Sequence, residues 1–248
     1  MQREIYSMFA DVFEYPGEDY QDKVHRVVRA LNETYPEAGT ELQGYYDHLP
    51  YNDHPEPRKA MEEIFTRTFD VQAITTLDIG YVVFGDDYKR GELLVNLSRE
   101  QKAAGTDCGS ELGDHLSNLL QLIAAHEDQA MMQELVDMVV GPALRQMVGE
   151  FDPARVEQKD KMYVKHHRTL IDKARDRNTI YQRALRSVYL VLQADFGLPD
   201  VTASSGPVMD FLETLGKELE IEKDEGVPLG SCQSGGDEPP VQRMPGSC

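Results

Sequence analysis

The chain has 248 residues, 40% of them hydrophobic, which is enough for one domain with a buried core plus a tail. Its 44 Asp and Glu against 25 Lys and Arg give a formal net charge of −19. Such a field disfavours nucleic acid and membrane surfaces as partners and attracts basic peptide or protein segments, although the same balance also serves solubility. The opening MQREIYSMFADVF lacks a basic start followed by an unbroken apolar stretch, so no secretory signal is expected there. No stretch reaches the roughly 18 apolar residues of a membrane span, and Cys108, Cys232 and Cys248 are too scattered for a disulfide framework. The expected location is the cytoplasm.

Ile5, Met8, Phe9, Val12 and Phe13 repeat at helical spacing until Tyr15-Pro16-Gly17 stops them, which predicts a first helix. Val24, Val27, Val28 and Leu31 predict a second. After a polar connection, Met61, Ile64, Phe65 and Phe69 predict a third. Over residues 73–84, Ile74, Leu77 and Tyr81 keep helical spacing, although Tyr81 to Phe84 also fits a short buried strand; helix is the expectation. Leu93, Leu94 and Leu97 place a helix over 88–104, and Gly105 to Gly113 reads as loop. Leu116, Leu119, Leu120 and Ile123 form the next stripe, with Asp114 as its natural N-cap.

Met131, Leu135, Met138 and Val139 continue helically to Gly141-Pro142, where a kink or a restart is expected. Tyr181, Leu185, Val188, Leu192 and Phe196 predict a long helix ending at Gly197-Leu198-Pro199. Val208, Phe211, Leu212, Leu215 and Leu219 predict the last one. Residues 225–248, rich in Gly, Pro and Ser, are expected to be a disordered tail. The fold class is therefore all-α: one globular helical domain over residues 1–224, with roughly eight to ten helices burying stripes against one another.

Residues 141–190 hold 11 Lys and Arg against 6 Asp and Glu, so the chain is electrically two-sided. A basic stretch such as Lys159 to Arg186 reads either as a solvated helix face or as a docking surface. The chain has no HExxH, no Cys/His ligand spacing, no GxSxG, no phosphate-binding P-loop and no GxGxxG after a strand. No metal or cofactor is therefore expected. Cys108 has no neighbouring base or cation in sequence and reads as an inert thiol.

One constellation stands out: Glu63, Phe65, Phe69 and Asp70 on one predicted helix, Arg90-Gly91-Glu92-Leu93 opening the next, and Glu111-Leu112-Gly113-Asp114-His115-Leu116 at a loop-to-helix junction. The runs SMFADVFEYP, FTRTFD, RGELLVNL and ELGDHLSNLLQLI, in that order over about residues 5 to 125, resemble the cytoplasmic molybdoenzyme-assembly chaperones. The resemblance is to the delta-type chaperone of respiratory nitrate reductase and to relatives serving other dimethyl-sulfoxide-reductase-type enzymes. Its most specific element is the Glu-x-x-Asp-His-Leu run Glu111 to Leu116; the family usually has Pro where Gly113 stands. The resemblance implies an all-helical, non-enzymatic protein without a cofactor of its own. It would hold the N-terminal segment of an apo molybdenum-enzyme catalytic subunit until the molybdenum cofactor is inserted, as a monomer or homodimer, without nucleic acid or membrane insertion. The rival expectations are a small helical metal-dependent hydrolase with ligands drawn from several helices, and a helical adaptor without a molybdenum link.

Physical reasoning reaches the same residues by another route. An amphipathic peptide helix is held by an apolar groove floor with carboxylates at the rim. Phe65 and Phe69 are candidates for the floor or for plain core, and Asp114 for binding or capping. His115 is a candidate pH-responsive contact or a histidine satisfied by a carboxylate. Glu111 and Asp70 are candidate rim acids; Glu111 has no evident structural partner in sequence.

Overall fold

The first stripe folds as α1 (Arg3–Ala10) followed by a tight turn, Asp11–Phe13, and buries Ile5, Tyr6, Phe9, Val12 and Phe13. In the computed structural model, which describes residues 2–167, 177 and 179–201, there follow α2 (Tyr20–Thr34), α3 (Pro36–Asp47), α4 (Pro57–Phe69), α5 (Ile79–Phe84), α6 (Tyr88–Ala104) and α7 (Leu116–Ala125). The chain continues through α8 (Gln129–Leu135), α9 (Gly141–Gly149), α10 (Pro153–His167) and α11 (Tyr181–Phe196). Among the described residues no strand forms, so the fold is all-α as expected. The stripe 208–219 and the tail 225–248 lie outside the described residues.

α3 corrects the expected polar connection. Pro36 opens it at its first turn, where the missing amide costs nothing, and Ala38, Leu42 and Tyr45 make its buried stripe. Its two glycines hid the pattern. Gly44 lies under the Arg183 guanidinium, which a Cβ would meet at 2.4 Å, so glycine here leaves room for that side chain to lie across α3. The expected helix over 73–84 is also shorter than predicted, because residues 73–78 run irregularly and α5 begins only at Ile79.

At Gly141-Pro142 the helix restarts rather than breaks. Val136–Val140 widen to a π turn in which Gly141 N–H bonds to the Val136 carbonyl, and α9 follows with Pro142 in its first turn. Proline has no amide for the i→i−4 ladder, and the wider turn absorbs that loss. α11 ends at Gly197 in the left-handed conformation, φ 74°, as its sequence predicts.

α11 packs on α3 and α9, α1 on α7, and α2 on α3. Their shared core contains a hub of tyrosines: the Tyr20 hydroxyl donates to the Val12 carbonyl at 2.8 Å and lies 2.6 Å from the Tyr45 hydroxyl and 3.1 Å from that of Tyr181. Buried hydroxyls that bond one another avoid the cost of unpaired polar atoms. Tyr6 and Tyr35 both donate to the Asp195 carboxylate, at 2.7 and 2.8 Å, tying α1 and α2 to the end of α11.

Candidate functional site

The loop before α7 is built by short-range bonds. Glu111 N–H donates to the Cys108 carbonyl and His115 N–H to the Leu112 carbonyl. From within α7, the Asn118 amide donates to the Leu112 carbonyl at 2.8 Å, and Gln101 of α6 donates to the Gly113 carbonyl at 2.8 Å. The segment following α4 lies alongside. Ile79 N–H donates to the Asp114 carbonyl at 2.9 Å and Leu116 N–H to the Leu77 carbonyl at 2.8 Å, which makes an antiparallel bridge between Asp78 and His115. Two stretches far apart in sequence, 70–78 and 107–115, thus form facing walls.

Asp114 is not the cap of α7. Its carboxylate is fully buried and accepts from Arg90 Nε at 2.8 Å, while Arg90 Nη2 also donates to Asp78 at 2.7 Å. The cap is His115, whose Nδ1 accepts from Ser117 N–H at 3.3 Å and lies 2.7 Å from the Ser117 hydroxyl. Sequence reasoning assigned the cap to Asp by residue preference, but the half-buried Arg90 opposite draws that carboxylate inward. Gly80 lies directly against it; a Cβ there would meet Asp114 Oδ2 at 2.5 Å. The Arg90 guanidinium also sits 5.4 Å from the Tyr81 ring centre, a cation–π contact.

Between the walls lies a cleft of about 570 Å³. Phe65, Phe69 and Tyr15 supply its aromatic side. Tyr15 meets Phe65 edge-on at 5.5 Å, Phe65 meets Phe69 at 5.1 Å, and Phe69 meets Tyr181 of the tyrosine hub at 4.8 Å. Phe65 and Phe69 are 6% and 5% exposed, so they are core side chains that also line the cleft. Glu14, Asp70, Asp78, Asp107 and Glu111 line it as well, and among the described residues lining it none is Lys or Arg. No protein-family model matches the chain, and no curated protein matches it. The chemistry of the site rests on these side chains.

Five of the six candidate residues, Phe65, Phe69, Asp70, Glu111 and His115, line this one cleft, and Asp114 supports it from behind. Glu63, the other acid of the constellation, instead lines a smaller adjoining groove of about 280 Å³ with Tyr15, Lys59 and Val71. Sequence reading missed Glu14, Tyr15, Asp78 and Asp107. Asp107 was within reach, being next to Cys108 in the same Gly-flanked loop, and so were Glu14 and Tyr15, which lie in the SMFADVFEYP run; Asp78 enters only through the tertiary fold.

The carboxylates of the cleft perturb one another. Desolvation, and next the Glu111 carboxylate, push the Asp70 carboxyl above its ordinary range, with His115 opposing and Asp78 adding to the rise. Burial lowers the His115 ring below its usual 6.5, against the pull of Glu111, Asp78, Asp114 and Asp70. Burial and Asp107 raise the Cys108 thiol, in keeping with the inert reading. A guanidinium or ammonium entering the cleft relieves the repulsion between Asp70 and Glu111.

Proposed function

We propose that the protein is a chaperone that holds a basic, amphipathic N-terminal segment of a molybdenum-enzyme catalytic subunit in this cleft while the cofactor is inserted. The observation that carries the reading is the cleft itself: five carboxylates and an aromatic floor in a volume suited to a few peptide side chains, with no cationic side chain among the described residues lining it. Aromatic floor and acidic rim are the two parts that recognition of an amphipathic basic helix requires. The ordered resemblance of SMFADVFEYP, FTRTFD, RGELLVNL and ELGDHLSNLLQLI to the molybdoenzyme-assembly chaperones supplies the client class, and three of those four runs contribute residues to the cleft.

Binding is expected to be partly apolar, through Phe65, Phe69 and Tyr15, and partly electrostatic, through Asp70 and Glu111. Asp78 contributes less, because Arg90 already compensates its charge at 2.7 Å. The test is co-purification from the source cells with wild-type protein and with the Asp70→Asn, Glu111→Gln variant as bait. A molybdenum-enzyme catalytic subunit retained by the wild type and lost by the variant is the expected result. Retention of an unrelated protein through the same two acids would replace the molybdenum client and leave the peptide cleft; equal retention by both baits would remove the cleft from the binding event.

A further inference from the structure

The basic stretch beginning at Lys159 was expected to be a solvated face or a docking surface, and its first lysine is neither: Lys159 is 5% exposed. Its ammonium lies 2.7 Å from Glu150 Oε2, itself 2% exposed, and donates to the carbonyl of Ile74. One residue further along α10, Asp160 accepts from Arg67 Nη2 at 3.2 Å. Arg67 is also 5% exposed, and its Nη1 donates to the Gln72 side chain at 3.3 Å. α10 thus reaches the segment after α4 at two places, directly at Ile74 and through Arg67 at Gln72.

That segment needs holding. Gln72 has φ 56°, the left-handed region that a non-glycine residue occupies at a cost of about 1 kcal/mol or more. Ile74 and Thr75 both direct their amides to the single Thr68 carbonyl, at 2.9 and 3.1 Å. The Ile74 carbonyl has no helix or sheet to pair with, and Lys159 supplies the donor. The cleft wall begins on one side of this turn with Asp70 and resumes on the other with Thr76, Leu77 and Asp78. Buried ion pairs contribute little net stability compared with apolar packing, but separating one is costly, since a displaced partner leaves a buried charge unpaired.

We propose that Lys159 and Asp160 of α10, with Glu150 and Arg67, are positioning residues for the peptide cleft: they lock the 70–78 wall from behind, so that ligand affinity depends on the docking of a helix that never touches the ligand. The inference rests on the peptide-binding reading of the cleft. Coupling of this kind is reciprocal, so a ligand that prefers the locked wall also tightens α10.

The experiment is calorimetric titration of a synthetic amphipathic peptide, arginine and lysine on one face and leucine and phenylalanine on the other, into full-length wild type, Asp160→Asn and Asp160→Glu. Amide exchange is followed in parallel at Ile74, Thr75 and along α10. Asp160→Asn is expected to weaken binding about five- to tenfold and to speed exchange at Ile74 and Thr75, while the protein still unfolds in one cooperative transition. Asp160→Glu, which restores a carboxylate to Arg67, recovers most of the affinity. In the wild type, saturating peptide slows exchange in α10. Should Asp160→Asn prevent folding, the paired change Glu150→Gln, Lys159→Met removes both buried charges together and carries the same expectations at Ile74. Faster exchange at Ile74 and Thr75 with unchanged peptide affinity overturns the positioning role and leaves the cleft standing. A wild type that binds no basic peptide refutes the cleft reading itself, and the positioning role falls with it.

Discussion

The bundle of α1, α2, α3, α7 and α11 and the pair of walls around the cleft are held by different forces. The bundle's core is apolar, and the hydroxyls of Tyr6, Tyr20, Tyr35, Tyr45 and Tyr181 within or beside it bond one another, the Val12 carbonyl or Asp195. The walls are irregular chain held by backbone and amide bonds and by buried or half-buried charge, with Arg90 on Asp114 and Asp78, Lys159 on Glu150 and the Ile74 carbonyl, and Arg67 on Asp160 and Gln72. Apolar burial is non-directional and stabilises whichever helices meet, whereas a hydrogen-bonded ion pair is lost once its partners separate. On the positioning proposal, the scaffold supplies stability and the charged contacts supply the position of the site.

The difference is broken most severely from the bundle side. Phe9 is fully buried between α1 and its neighbours, and Phe9→Ala should cost about 3–5 kcal/mol in chemical denaturation while the folded fraction keeps its peptide affinity. Asp114→Asn comes next, at about 2–4 kcal/mol, because it takes half the compensation from a largely buried Arg90. Were Asp114 a helix cap the change would be nearly silent, since Asn caps as well as Asp.

A pH series sharpens the contrast on the cleft side. With the folded His115 ring held below 6.5, the unfolded chain takes up its proton first. Stability is therefore complete above about pH 6.5 and is lost as the pH falls toward the lower folded pKa. His115→Asn, which keeps a side-chain cap for α7, should flatten that slope. Affinity for a basic peptide moves through Asp70: its raised carboxyl becomes protonated earlier on acidification, so binding weakens as the pH falls into and slightly above the carboxylate range. Asp70→Asn should reduce that dependence without abolishing it, since Glu111 lines the same cleft. The smallest stability effect belongs to exposed Glu111, where Glu111→Gln should stay within about 0.5 kcal/mol.

What the sequence revealed follows the same division. Helices that bury periodic stripes, such as Tyr181 to Phe196 closed by Gly197, were legible because 3.6-residue spacing and a left-handed glycine are local signals. α3 was not, since its stripe uses Ala and Tyr and its glycines look like breakers until Arg183 is seen lying over Gly44. The candidate acids and aromatics were found, but their roles needed tertiary partners. Asp114 reads as a cap until Arg90 faces it, and Lys159 reads as a solvated lysine until Glu150 and the Ile74 carbonyl enclose it. Ion pairs between distant helices leave no periodicity in the chain.

Calorimetric titration of the amphipathic basic peptide against wild type and the Asp70→Asn, Glu111→Gln variant, at about 50 and about 500 mM salt, tests the central claim most directly. The cleft reading predicts that the variant binds more weakly at low salt by roughly 0.5 to 3 kcal/mol, that its melting temperature matches the wild type, and that salt weakens the wild type more than the variant. Equal affinities and equal salt dependence in the two proteins would contradict it.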